Sequence, residues 1–184
     1  MPSEKTDSLE KEFLEVLADT LDIKKTIEKL NLKEEEARGF LKSILKELFP
    51  DTSGLYMYID GASRGNPGEA GAGAVIKDTG GHVLKRLKKR LGIATNNVAE
   101  YMAFIMALTE AKKLGAKKVH AFSDSELLVR QINGQYRVKS EGLKTLYREA
   151  ISIKEGFSFF KLTHIEREKN SEADFLANSA IDGI

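Results

Sequence analysis

The stretch Asp60-Gly61-Ala62-Ser63-Arg64-Gly65-Asn66-Pro67-Gly68 decides how this chain is read. It follows Leu55-Tyr56-Met57-Tyr58-Ile59, an alternating run that predicts a half-buried β-strand. Asp60 is therefore expected at the end of a strand, where a rigid sheet holds the backbone and leaves the carboxylate facing solvent or a ligand. Gly61, Gly65, Gly68 and Pro67 then predict a tight turn. For Asp-Gly alone an ordinary hairpin turn is the better reading. Three more carboxylates in similarly constrained places favour a functional site.

Downstream of the turn, residues 70–77 read as a second strand whose small side chains imply close backbone approach. Asp78-Thr79-Gly80-Gly81 predicts a hairpin turn, and residues 82–91 a third strand. Lys85, Arg86, Lys88, Lys89 and Arg90 on that strand suit either protection of a sheet edge or attraction of phosphates. Thr95-Asn96-Asn97 opens a helix running to about Leu114 and closed by Gly115. A short fourth strand ends before Asp124, and helices follow over 125–132 and 140–155. A fifth strand spans 157–164, with a loop over 166–169. Asn170 then caps a last helix over 171–181. Strands joined by tight turns form an antiparallel meander, and strands separated by helices add in parallel. The expected fold is α/β: a mixed five-stranded sheet, three strands antiparallel and two parallel, flanked by helices.

Residues 1–50 predict a separate helical domain. Apolar residues recur at helical spacing in three stripes, led by Leu9 and Phe13, by Ile23 and Ile27, and by Ala37 and Phe40. Asn31 and Leu32 break the second stripe from the third, the outline of a helix-turn-helix, but a small three-helix bundle with a packing or protein-binding role is the favoured reading because nucleic-acid modules are usually basic. This segment holds nine Lys and Arg against twelve Asp and Glu, a net of −3. The whole chain is +1, so the remainder carries +4 and is where a polyanion is expected to bind. Residues 51–54 read as a linker, and residues 55–184 as the main domain.

At 184 residues and 41% hydrophobic composition the chain is long and apolar enough for a sizeable core. No cysteine is present, which excludes disulfides, thiolate metal sites and cysteine nucleophiles. No stretch is apolar enough to span a bilayer, and the first residues carry no signal core, so no membrane association and a cytoplasmic location are expected.

Asp60 and Asp124 follow predicted strands, while Glu100 and Asp174 sit in the first turns of predicted helices. Singly, each has an ordinary explanation. Asn97 with Glu100, or Ser123 with Glu126, could be a capping box, and Asp174 could favour its helix dipole. Converging, four acids would resist ionisation, and hard divalent cations such as Mg²⁺ or Mn²⁺ relieve that. Two such ions about 4 Å apart can clamp a phosphodiester.

From Leu55 onward the chain resembles type 1 ribonuclease H. The motifs that carry the resemblance are Asp60 with Gly65-Asn66-Pro67-Gly68, Thr95-Asn96-Asn97 with Glu100, Asp124-Ser125, and Asn170-Ser171-Glu172-Ala173-Asp174. The resemblance implies a metal-dependent endonuclease that hydrolyses the RNA strand of an RNA–DNA hybrid to 5′-phosphate and 3′-hydroxyl ends. It assigns two Mg²⁺ or Mn²⁺ ions to Asp60, Glu100, Asp124 and Asp174. Asn66, Asn96 and Asn97 match minor-groove contacts, and amides that both donate and accept suit the RNA 2′-hydroxyl. Thr95 matches a phosphate contact on the DNA strand, at a helix start suited to anions. His164 matches a histidine that assists proton transfer or product release. Two departures stand out. The basic protrusion common in the family is absent, which puts Lys85 to Arg90, or Arg137 and Lys139, forward as substitutes. The N-terminal domain is not the usual hybrid-binding module, and a DNA or protein partner is expected for it. A monomer is expected. The rival readings are a catalytically weak nucleic-acid-binding module of the same fold, and a nuclease that also cuts RNA–RNA duplexes.

Overall fold

The computed structural model describes residues 4–48 and 52–183. The chain divides into two compact units, Met1–Pro50 and Asp51–Ile184. The breaker Pro50-Asp51 read from sequence lies outside the described residues.

The first unit has three helices, α1 (Glu4–Thr20), α2 (Ile23–Lys29) and α3 (Glu34–Leu48). Asp22 caps α2 by accepting from the Lys24 and Lys25 amides at 2.9 and 3.3 Å. Asn31 turns the chain between α2 and α3 in the left-handed region, where asparagine is among the better tolerated side chains. Phe13, Thr26 and Ala37 are buried between the helices, and the Phe13 and Phe40 rings meet at 5.6 Å.

The second unit is built on a five-stranded sheet. Its strands are β1 (Gly54–Gly65), β2 (Gly68–Asp78), β3 (Val83–Ala94), β4 (Lys118–Ser123) and β5 (Phe159–His164), in the order β3-β2-β1-β4-β5. β1–β2 and β2–β3 pair antiparallel, and β1–β4 and β4–β5 parallel. This is the mixed sheet expected from the connection lengths. The helices are α4 (Asn96–Lys113), α5 (Glu126–Ile132), α6 (Glu141–Lys154) and α7 (Ser171–Asp182), with one 3₁₀ turn at Arg167–Asn170. Leu55, Met57 and Ile59 of β1 alternate into a core completed by Phe104, Leu108, Val119 and Leu162, which joins α4 to the sheet. α7 lies against β1, β2 and β3. It sits so close that a Cβ at Gly71 or Gly73 would overlap the Ala177 or Ala173 carbonyl oxygen. That explains the small residues of β2.

One expectation needs correction. Asp60 does not end a strand, because β1 continues to Gly65 and the turn is only Asn66-Pro67. What ends near Asp60 is the pairing with β4, whose last matched residues are Tyr58 and Phe122. Asp60 remains paired with β2 through Gly73. β1 outlasts its parallel neighbour, and that mismatch opens the sheet beside the carboxylate.

Candidate active site

Because β4 neighbours β1 in parallel, Asp124, the residue after β4, arrives at the same end of the sheet as Asp60. Glu100 comes down from α4. Its approach depends on Gly61, where a Cβ would overlap the Glu100 backbone nitrogen. Asp174 enters from the first turn of α7. The four carboxylates line one polar cleft of about 310 Å³, together with Ser63, Asn96, Arg167 and Asn178.

The electrostatics follow from burial. Asp60 and Glu100 are each only 5% exposed. Burial, reinforced by the Asp124 and Asp174 charges, pushes Asp60 up to about 7. Burial, then the charges of Asp60 and Asp124, raises Glu100 well above the ordinary glutamate value. Glu100 Oε1 receives a long contact from Asn96 Nδ2 at 3.4 Å, while Oε2 is buried without a partner among the described residues. An unpartnered buried carboxylate oxygen is costly unless something cationic completes it. The four carboxylates that line the cleft supply hard oxygen donors of the kind Mg²⁺ or Mn²⁺ prefers. As the side chains stand, no three acids among the described residues are gathered closely enough to hold a metal ion. Arg167 engages Asp174 Oδ1 at 2.6 Å, and Asn170 engages Asp124 Oδ1 at 2.7 Å.

The other residues singled out by motif fall around this cleft. Thr95 caps α4, its hydroxyl accepting from the Val98 amide at 3.3 Å, so the helix opens on Thr95 rather than on an Asn97–Glu100 box. Asn66, at the tip of the β1–β2 hairpin, accepts from the Asn96 backbone amide at 3.2 Å and ties hairpin to helix. Asn97 faces a neighbouring groove of about 590 Å³, lined also by Gln131, Gln135, Tyr136, Arg137 and Lys139. His164 closes β5, exposed, with Nε2 3.2 Å from the Asp124 carbonyl oxygen. Likewise α5 is capped by Ser125, which accepts from the Leu128 amide, and not by a Ser123–Glu126 box or by Asp124. His82, just before β3, bonds to Asp78, and His120 of β4 to Thr163.

Two cleft residues, Arg167 and Asn178, and the buried Asn170 behind Asp124 were not singled out from sequence for this position. Arg167 was part of a loop and Asn170 a helix cap. Asn178, which donates to the Asp174 carbonyl oxygen at 2.9 Å, carried no motif. Residues 170, 174 and 178 recur every fourth position, one polar stripe along α7, and that spacing was the available signal.

A mixed sheet in this strand order, with acids gathered where β1 and β4 diverge, defines a ribonuclease H-like domain. The family model described as "Reverse transcriptase-like" matches residues 58–180. The bifunctional protein Rv2228c of Mycobacterium tuberculosis is 45% identical over 125 residues, covering 67% of this chain and 34% of that protein, so the chain spans about a third of its length. Ribonuclease HI of Halobacterium salinarum is 38% identical over 134 residues, covering 72% of this chain and 67% of the relative. The crystal structure of RNase H1 from that archaeon superposes with a TM-score of 0.69 at 37% identity, covering 71% of this chain and 99% of the other. LC11-RNase H1, solved in complex with an RNA/DNA hybrid, gives 0.67 at 43% identity, covering 70% and 97%. The chain belongs to the type 1 ribonuclease H family.

Proposed function

We propose that this protein is an endoribonuclease that hydrolyses the RNA strand of RNA–DNA hybrids, leaving 5′-phosphate and 3′-hydroxyl ends. The single observation that carries this reading is the cleft lined by Asp60, Glu100, Asp124 and Asp174, with a buried Glu100 oxygen that has no hydrogen-bond partner among the described residues. The relatives named ribonuclease H and the hybrid-bound LC11 structure support the substrate class. Asp60, Glu100, Asp124 and Asp174 would hold two Mg²⁺ or Mn²⁺ ions. Bound there, the cations supply an activated water and stabilise the leaving oxygen of the scissile phosphate.

The chain's own residues do the rest. Asn66 and Asn96, joined across the hairpin tip and the start of α4, offer amides to the minor groove, and Asn97 continues that row into the neighbouring groove. Thr95 and the start of α4 suit a DNA-strand phosphate. In the same groove as Asn97, Tyr136, Arg137 and Lys139 combine an exposed ring with two cations, a setting for the DNA strand that stands in for the missing basic protrusion. His164, exposed beside Asp124, is placed to relay a proton or ease product departure.

The test is cleavage of a labelled RNA–DNA hybrid in Mg²⁺ or Mn²⁺, with RNA and DNA duplexes alongside. Asp60→Asn is expected to lower cleavage about a thousandfold, the several kcal/mol a catalytic cation contributes, while hybrid binding persists. Wild-type rates in Asp60→Asn would refute the assignment.

A further inference from the structure

Asn170 stands at the N-cap position of α7, yet its side chain makes no capping bond. It is instead 1% exposed and points its amide into the sheet. Nδ2 donates to the Ile59 carbonyl at 2.9 Å and to Asp124 Oδ1 at 2.7 Å. Both partners only accept, so the amide nitrogen must face them, and both of its hydrogens are used. Oδ1 is left buried without a partner among the described residues. A helix cap would have used that oxygen, which accepts from the first-turn amides in an ordinary cap. The side chain therefore gives up its usual role to make two other bonds.

The location accounts for the choice. The β1–β4 ladder stops at Tyr58 and Phe122, so the Ile59 carbonyl lies one residue past the last paired position. Asn170 gives that carbonyl a donor after β4 has ended. The same nitrogen holds the carboxylate of Asp124, the first residue after β4. One amide thus spans the gap where the two strands part, and it lies four residues before Asp174 in the chain. Asp60 follows Ile59 directly. Two of the four acids are therefore tied to one buried side chain, Asp124 through a hydrogen bond and Asp60 through the adjacent Ile59 backbone.

We propose that Asn170 is a positioning residue for the acidic cluster: its amide, bridging the Ile59 carbonyl and Asp124 Oδ1, sets the separation of Asp60 from Asp124 and leaves the second Asp124 oxygen for a divalent cation. This rests on the metal-dependent reading above. The arrangement is selective for asparagine. Aspartate would set a carboxylate against two acceptors, leucine would leave both unpaired, and serine is too short to span them. Partners that orient a ligating group commonly change metal affinity by about 10- to 100-fold when removed.

The experiment is calorimetric titration of Mn²⁺ into the full-length wild type, Asn170→Leu and Asn170→Ser, with thermal melts of each protein free of metal. The expected result is Mn²⁺ binding weakened at least about tenfold in both variants. A purely structural role would lower the metal-free melting temperature and leave Mn²⁺ affinity unchanged. Asn170→Ser keeps a small helix-capping residue and carries the test if Asn170→Leu fails to fold. Equal Mn²⁺ affinity in wild type and a folded variant overturns the positioning role alone. No Mn²⁺ binding by the wild type overturns the metal reading, and the positioning role with it.

Discussion

Asp60 and Glu100 carry the largest energetic consequence of any single side chains in the cleft. Both take up protons more readily folded than unfolded, because burial and neighbouring acids disfavour their charge. The contribution of Asp60 to stability is therefore complete below its ordinary value of 3.8 and is lost as pH rises through about 7, and that of Glu100 falls in the same direction. The metal-free protein is expected to melt at lower temperature at pH 7.5 than at pH 5, and Asp60→Asn to flatten that slope. Cations bind the ionised carboxylates, so Mn²⁺ should raise the melting temperature much more at pH 7.5 than at pH 5. Scanning calorimetry at the two pH values, with and without Mn²⁺, measures both effects. An equal Mn²⁺ shift at the two values would count against carboxylate ligation. Asn170 marks the limit of reading at this scale. Asparagine before a helix predicts a cap from local chemistry, and only the neighbouring Ile59 carbonyl and Asp124 carboxylate redirect it.

At the scale of elements, the site depends on how closely α4 and α7 approach the sheet. Gly61 lets the α4 backbone rest on β1 beside Asp60, and Gly73 does the same for α7. Gly61→Ala would force α4 outward and carry Glu100 away from Asp60. A loss of roughly 1–3 kcal/mol of stability is expected from the overpacking, together with a fall in cleavage larger than unfolding explains. Denaturant melts and hybrid cleavage measured on the same protein separate the two losses. Thr95→Ala should cost about 1 kcal/mol through the lost cap on α4. The strands and helices were legible from alternation, helical spacing and glycine punctuation, and Gly115 does close α4, but the N-terminal caps were not legible. Thr95, Asn96 and Asn97 are adjacent and similar in capping preference, and the choice among them depends on where the chain leaving β3 turns.

For the whole molecule, the core joining α4 to the sheet is formed entirely by residues after Asp51. A protein lacking residues 1–50 is therefore expected to fold and to cleave hybrid at a rate close to that of the full chain, which activity assays on the truncated protein would check. The basic surplus also lies in that part, so hybrid binding should weaken steeply with salt. Arg137→Ala and Lys139→Ala are each expected to lower the salt slope by about 1 if they meet phosphates. Titrations of hybrid at several salt concentrations would show it, and an unchanged slope would remove those residues from the interface.

The sequence by itself determined the element order, the parallel and antiparallel pairings, and which acids were worth following, because spacing and connection length are properties of the chain read locally. Only the tertiary structure decided that β1 runs past Asp60 while β4 stops, that Arg167 enters the cleft and Asn170 holds Asp124 from beneath it, and that one Glu100 oxygen has no partner among the described residues. Those facts depend on which residues distant in the chain come to lie side by side, and no local pattern encodes the spacing between them.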